Sequence, residues 1–124
     1  MRDISNRDRM FLNIAAAVAK NSMLRVRVGA CNSLYQVGWN RKHTHPKLAE
    51  WGFSEHHDIH AEMDIALQGH ESVCGCTIYV VRLARDGHWA LARPCDVCMG
   101  VLSYMDAKRV VWSMDDGEIG QVRL

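Results

Sequence analysis

The sequence has almost no net charge and no long apolar run. Lysine and arginine total 15 against 14 acidic residues, which leaves a formal net charge of +1 across 124 residues. Proteins that bind nucleic acid usually carry a strong basic excess, so a nucleic-acid partner is not expected beyond a short local contact. No apolar stretch approaches the roughly 20 residues that cross a bilayer, which predicts that the chain does not enter a membrane.

The first eleven residues, MRDISNRDRMF, lack the apolar centre of a secretory signal peptide. We therefore expect a cytoplasmic protein, in a compartment where cysteines are thiols or metal ligands. The chain has five cysteines, an odd number that also disfavours a disulfide framework. With 48% apolar and 23% charged residues, the composition is that of a single globular domain over residues 1–124.

Hydrophobic periodicity divides the chain into helices and strands. Ser5 followed by Asp8 is a capping-box pattern, and the apolar residues after it predict a helix over residues 6–20. Apolar residues alternate on both sides of a short Asn32-Ser33 turn, which predicts a β-hairpin. Further along, the sequence predicts a helix in IHAEMDIALQG, a strand in CTIYVVRL with a return in ARDGHWALAR, a helix in CDVCMGVLSYM, and strands in RVVWSM and EIGQVRL.

The order of these elements favours a three-layer α/β/α domain, with a five-stranded mixed sheet flanked by helices. Residues 40–58 are polar, aromatic and rich in histidine, and they are predicted to form a long irregular loop with a functional role. Ten residues follow RVVWSM. They leave room for a tight return, so the last strand is expected to run antiparallel to the one before it.

Cys95 and Cys98 follow Pro94 at the start of a predicted helix. Alone, they could be a redox pair, half of a structural zinc site or small core residues. His60 precedes Cys95 by 35 residues, at the start of the preceding helix, and would raise the number of zinc ligands to three. Three protein ligands with an open fourth position are typical of catalytic zinc, whereas structural sites have four. Unpaired N–H groups at helix starts also stabilise thiolates.

Glu62 lies two residues after His60, where it can reach a zinc-bound water without ligating the metal. The simpler interpretation is an acidic residue that interacts favourably with a helix N-terminus. Together, His-x-Glu and the later Pro-Cys-x-x-Cys resemble the signature of the zinc-dependent nucleoside and nucleotide deaminases. The resemblance covers nearly the whole chain, since RVGA and VGWN are similar to the first two strands of that family. It implies a cytidine deaminase-like fold.

The same resemblance implies a role for each motif residue. These roles are zinc ligation by His60, Cys95 and Cys98, proton transfer by Glu62, and substrate contacts by Asn40 and Ala61. The stretch GWNR, which contains Asn40, is similar to one in tRNA adenosine deaminases, where the asparagine contacts the sugar. In such a site zinc would lower the pKa of its bound water, and Glu62 would carry protons to the ring and to the departing amine.

The expected substrate is a free cytosine nucleotide, with deoxycytidylate converted to deoxyuridylate and ammonia. The histidine ligand and the chain length resemble small phage-type deoxycytidylate deaminases, whereas an antiparallel last strand resembles cytidine deaminases. Two alternatives stay open at this point. One is a deaminase of adenosine or cytidine within RNA or single-stranded DNA, and the other is a non-catalytic zinc-binding interaction module.

A basic cluster follows Asn40 in the sequence and includes Arg41, Lys42 and His43. A solvated loop is the usual explanation for such a cluster. A substrate 5′-phosphate near the site would also need donors of this kind, so we treat the three residues as candidate phosphate contacts.

A second, structural zinc is a weaker possibility, and some deoxycytidylate deaminases have one. Its candidate ligands would be Cys74, Cys76, His56 and His57. Their spacing is not diagnostic, and plain cysteines at a strand edge are the simpler interpretation. The pattern therefore leaves this site open.

We also expect a homo-oligomer. Trp51, Phe53 and Trp89 are predicted to lie in loops, where a monomer would have difficulty burying all three rings. The family-like fold, in addition, uses its helices to pack against neighbouring subunits. The small-molecule substrate and further copies of the chain are thus its expected partners.

Overall fold

A mixed sheet separates two layers of helix in the computed structural model, which describes residues 4–54 and 58–124. The strands are β1 (Arg27–Asn32), β2 (Val37–Trp39), β3 (Thr77–Leu83), β4 (Trp89–Ala90), β5 (Arg109–Ser113) and β6 (Ile119–Arg123). The helices are α1 (Asn6–Ala19), α2 (Pro46–Glu50), α3 (Ala61–Ala66) and α4 (Asp96–Tyr104), with a 3-10 turn at His70–Ser72. The three-layer α/β/α architecture predicted from the sequence is confirmed.

The strands lie in the order β2-β1-β3-β5-β6, and β4 pairs with one end of β3. Only β3 and β5 run parallel, because the chain crosses over between them through α4. β6 pairs antiparallel with β5, as the short stretch after RVVWSM predicted. The expected count of five strands was wrong by one, since the return after Asp86 and Gly87 forms the two-residue strand β4.

Each face of the sheet has its own apolar core. α1 covers one face, where Gly29 lets the helix approach closely because a Cβ at this position would collide with the carbonyl oxygen of Ala15. The buried residues on this side include Phe11, Leu12, Ala19, Cys31, Tyr79, Val81 and Val111. α3 and α4 cover the opposite face, whose core includes Met63, Ile65, Ile78, Val80, Val101, Leu102 and Val110.

Two local predictions need correction. Residues 40–58 are not wholly irregular, because Pro46 begins the short helix α2 after His45, whose side chain caps it by accepting from the Lys47 amide at 3.1 Å. α3 is shorter than predicted and ends at Ala66, before the 3-10 turn. The capping box of α1 is confirmed, with both reciprocal hydrogen bonds present.

The aromatic residues that suggested an oligomer are better buried than expected. Phe53 is only 7% exposed and Trp89 packs against the α1 core, while Trp51 is half-buried. Phe53 therefore no longer supports an oligomer, whereas Trp51 and Trp89 remain partly exposed. The homo-oligomer itself stays a prediction. None of the helices in the two described ranges has the length and apolar character needed to span a membrane. The cytoplasmic location stays a prediction.

Candidate metal and catalytic site

Two helix starts bring three potential metal ligands together. His60 is the N-cap of α3 and Cys95 is the N-cap of α4, while Cys98 lies one turn into α4. The Nδ1 atom of His60 lies 3.2 Å from Sγ of Cys98 and 3.8 Å from Sγ of Cys95. One donor atom from each residue therefore falls within 4.8 Å of the other two. The predicted constellation is assembled by the fold.

These separations fit a zinc ion. With Zn–N and Zn–S bonds of about 2.1 and 2.3 Å in tetrahedral geometry, a nitrogen and a sulfur ligand stand about 3.6 Å apart. The two observed separations, 3.2 and 3.8 Å, bracket that value. The His60 ring is also held edge-on by Phe53, with centroids 5.3 Å apart. The donor set of one imidazole and two thiols is one that zinc prefers.

Without a cation, the buried thiol of Cys98 resists ionisation. Burial raises the pKa of Cys98 far above its usual range, and negative charge on Glu62 and Cys95 raises it further. A divalent cation would reverse this, since it converts a coordinating thiol to its thiolate. The backbone N–H of Cys98 points to Sγ of Cys95 at 3.4 Å and would help to stabilise a thiolate there.

Glu62 lies in the first turn of α3 and is only 4% exposed. Burial raises the pKa of Glu62 to about 7, against smaller opposing hydrogen bonds from its own backbone N–H and from Cys98. A carboxyl group with such a pKa is populated in both protonation states near neutral pH. It can therefore accept and return a proton without a large free-energy cost.

A cavity of about 260 Å³ opens beside these residues. Its lining comprises Val26, Val28, Asn40, His60, Ala61, Glu62, Arg82, Leu91, Ala92, Arg93 and Cys95. The wall is mostly apolar, with polar groups in a few places, as is typical of small-molecule sites. Two of the predicted metal ligands and the predicted proton shuttle thus border one open cavity.

Asn40 and Ala61, the predicted substrate contacts, both line this cavity. The side-chain amide of Asn40 forms two hydrogen bonds with the segment that leads into β1. Its oxygen accepts from the Val28 amide at 2.9 Å, and its nitrogen donates to the Val26 carbonyl at 2.6 Å. These bonds hold the plane of the amide, while one further N–H and one further lone pair remain in its hydrogen-bonding capacity. The substrate contacts themselves stay predictions.

The basic cluster after Asn40 is arranged differently from what the phosphate hypothesis suggested. The guanidinium of Arg41 forms an ion pair with Asp64 on α3 and lies 5.6 Å from the centre of the Trp39 ring. Lys42 borders a neighbouring cleft that also includes Asn40 and His60. Neither Arg41 nor His43 is among the residues that line the cavity beside Glu62. Their role as phosphate contacts stays a prediction.

Two arginines at the cavity were missed by the sequence analysis. Arg82 lies on β3 opposite Val28, and Arg93 lies directly before Pro94 with its guanidinium 5.8 Å from the centre of the Trp112 ring. Signals for both exist in the sequence, since Arg82 interrupts the apolar run TIYVVRL and Arg93 adjoins the cysteine motif. Their meeting at one cavity depends on the pairing of β3 with β1 and with β4. The pairing of β1 with β3 joins distant segments, and no local pattern reveals it.

Comparison with known proteins shows the fold. No protein-family model matches the chain, and no curated protein matches it significantly. Among solved structures, the chain is similar to a cytidine deaminase from Burkholderia pseudomallei, with a TM-score of 0.65 and 17% identity over 93% of this chain and 91% of that one. A point mutant of the cytidine deaminase from Mycobacterium tuberculosis gives a TM-score of 0.52 and 17% identity over 85% and 83%. The chain has the cytidine deaminase fold.

Proposed function

We propose that this protein is a zinc-dependent hydrolytic deaminase that converts deoxycytidylate to deoxyuridylate and ammonia. The observation that carries the proposal is the meeting of three zinc donors, two of which line a cavity, with a buried, protonatable carboxyl group that lines the same cavity. A redox pair has no use for His60 and Glu62. A closed structural zinc site has four protein ligands, whereas the described residues bring three together here. The similarity to solved cytidine deaminases supports cytosine as the base.

Glu62 moves the protons of this reaction. His60, Cys95 and Cys98 would hold the zinc ion, which would supply the Lewis acidity that activates water for attack on the amino-bearing ring carbon. Glu62 accepts one proton of that water and delivers it to the adjacent ring nitrogen as the new carbon–oxygen bond forms. It then transfers the second proton, from the new hydroxyl group, to the amine. The carbon–nitrogen bond breaks and ammonia leaves, so that one carboxyl group serves both transfers.

Arg82 and Arg93 favour a nucleotide over a nucleoside. Among the described residues that line the cavity, these two bring permanent positive charge and Glu62 is the only carboxylate. Guanidinium groups bind phosphate through paired, charge-assisted hydrogen bonds. The ring of Trp112 further restrains Arg93. We therefore assign the recognition of the substrate phosphate to these two arginines.

The direct test measures ammonia release from deoxycytidylate, cytidine, cytosine, adenosine and single-stranded DNA. Deoxycytidylate should give the highest kcat/KM. Faster release from the oligonucleotide or from adenosine would favour a deaminase of bases within nucleic acid. No release from any substrate by the zinc-loaded protein would favour a non-catalytic zinc-binding module.

The phosphate assignment has its own test in Arg82→Gln and Arg93→Gln. Each variant should raise the KM for deoxycytidylate by about 10-fold or more, because a hydrogen bond to a charged group contributes about 1.5–3 kcal/mol. The KM for cytidine should stay close to that of the parent. Arg85→Gln, in the exposed turn after β3, is the matched control. Equal losses for nucleotide and nucleoside would contradict a phosphate contact.

We also propose a homo-oligomer that uses the outer face of α4. Tyr104 is 83% exposed, and with Val97 and Trp51 it lines a groove of about 580 Å³ between α2 and α4. An exposed apolar groove of this kind is suited to a protein contact. Sedimentation at micromolar concentrations should detect the oligomer, and Tyr104→Glu should shift it toward the monomer. A parent protein that stays monomeric would overturn this part of the proposal.

A further inference from the structure

A second cluster of metal-binding side chains lies beyond the other ends of α3 and α4. His70 and Cys74 follow the end of α3, and Asp106 follows the end of α4. One donor atom from each side chain falls within 4.8 Å of the other two, and all three residues are exposed. The cluster shares no residue with the site formed by His60, Cys95 and Cys98.

Main-chain hydrogen bonds hold these three residues together. The amide of Cys74 donates to the carbonyl of His70 at 2.9 Å, and the amide of Gly75 donates to the carbonyl of Asp106 at 2.9 Å. Asp106 has a φ of 63°, a left-handed conformation that is unusual for a residue with a side chain. The backbone that carries the three donor side chains is therefore already held in place by hydrogen bonds. Only the side chains lose conformational entropy when a ligand binds.

We propose that His70, Cys74 and Asp106 bind a zinc ion. A thiol and an imidazole exclude the hard cations Mg²⁺ and Ca²⁺, which take oxygen ligands, and they favour zinc. The carboxylate is the third protein ligand, and water completes a tetrahedron at this exposed position.

This ligand set differs from the one that the sequence suggested. Cys76 is buried and its sulfur faces the carbonyl groups of Glu71 and Cys74 at 3.9 and 3.7 Å. His56 and His57 lie outside the described residues. His70 and Asp106 take their places, because the turn after α3 and the turn after α4 meet in the folded chain.

An ion at this cluster would affect the stability of the fold, although its open fourth position distinguishes it from a closed structural site. The cluster connects the turns that follow α3 and α4. The starts of the same two helices carry the residues of the first metal site. An ion bound there stabilises the folded state, since the separated turns of an unfolded chain cannot offer the same three ligands at once. We expect the thermal midpoint to rise when this site is filled.

The test measures zinc stoichiometry on metal-stripped, fully reduced protein by equilibrium dialysis and elemental analysis. The parent should bind two zinc ions per chain, whereas His70→Ala and Cys74→Ser should each bind one. His88→Ala, which removes an exposed histidine paired with Asp86, is the matched control and should still bind two. Asp106→Asn keeps a residue type that tolerates the left-handed conformation, and it should weaken the second site by at least 10-fold.

Cys95→Ser separates this proposal from the proposed catalytic function. The substitution is at an exposed position, so the fold should survive and the remaining zinc should belong to the second cluster alone. In this background zinc should raise the thermal midpoint, and adding Cys74→Ser should abolish the rise. The proposal is overturned if Cys95→Ser binds no zinc, or if the second equivalent persists in both His70→Ala and Cys74→Ser. Loss of deaminase activity alone would leave these stoichiometries unchanged.

Discussion

Two buried carboxyl groups, Asp8 and Glu62, lie on opposite faces of the sheet, and their pKa values are shifted in opposite directions. The two residues are almost equally shielded from solvent, at 5% and 4% exposed, but Glu62 is surrounded by more protein than Asp8. Burial alone would raise the pKa of Asp8, but hydrogen bonds from Arg109, Tyr79 and Ser5 hold it well below its usual range. The pKa of Glu62 is lowered only in part by its own backbone N–H and by Cys98, and burial outweighs them and raises it to about 7.

The contrast shows that hydrogen-bond partners act together with depth of burial to set the charge of a buried carboxyl group. Both carboxylate oxygens of Asp8 accept from the Arg109 guanidinium, at 3.0 and 2.7 Å, and one also accepts from the Tyr79 hydroxyl at 2.7 Å. This network is satisfied and ties α1 to β3 and β5. Glu62 lies beside thiols and an open cavity, where its proton is available for exchange.

The largest expected effect is on the chemistry at Glu62. Glu62→Gln keeps the size of the side chain but cannot accept or return a proton. The rate should fall by ~10²–10⁴-fold, the loss typical of a general acid–base group, or by more because one residue serves two transfers. Steady-state ammonia release checks this, and zinc content should equal that of the parent. Zinc loss would make Glu62 a ligand, and a parental rate would disprove the shuttle.

The next effect is on stability, at Asp8. Asp8→Asn leaves the buried guanidinium of Arg109 without its counter-charge, which should lower the free energy of unfolding by about 3 kcal/mol. Urea denaturation measures the loss, with the exposed Asp86→Asn as the matched control. The kcat of the folded variant should stay parental, since Asp8 lies on the face away from the cavity. An unchanged stability would mean that the ion pair does not hold α1 in place.

The third effect is the pH dependence of that stability. Because the pKa of Asp8 is lowered on folding, its contribution is present above the unfolded value of about 4 and is lost as pH falls toward the folded value. The stability difference between the parent and Asp8→Asn should therefore shrink below about pH 4. Urea denaturation from pH 7 to pH 3 would show this. A difference that stays constant over the whole range would contradict a lowered pKa.

The smallest effect is expected at a third buried carboxylate, Asp64. It accepts from the Trp39 amide at 3.1 Å and pairs with Arg41, whose side chain is 41% exposed. Because this cation keeps part of its hydration, Asp64→Asn should cost about 1 kcal/mol or less. Urea denaturation of Asp64→Asn and Asp8→Asn, measured side by side, compares the contributions of the two ion pairs to the free energy of unfolding. A loss as large as that of Asp8→Asn would remove the distinction drawn from exposure.

The sequence predicted those features whose signals are local. His-x-Glu and Pro-Cys-x-x-Cys each lie within one turn of a helix start, where the periodicity predicted them. That His60, Glu62, Cys95 and Cys98 act together was implied by the resemblance to zinc-dependent deaminases. The alternation of apolar residues likewise predicted the hairpin of β1 and β2. The capping box of α1 needed only Ser5 and Asp8. Such signals are short-ranged, because backbone geometry within one turn or one hairpin repeats in every protein.

Only the tertiary structure decided what surrounds each of those groups. Asp8 appears in the sequence as a cap residue, and its main partner Arg109 is 101 positions away. The basic residue nearest to Asn40 in the sequence, Arg41, pairs with Asp64, while the distant Arg82 and Arg93 reach the cavity. The pKa of Asp8, the wall of the cavity and the second ligand cluster all depend on groups that folding brings together from distant parts of the sequence. The sequence determined which groups can react, and the packing of distant segments decided their charge and their neighbours.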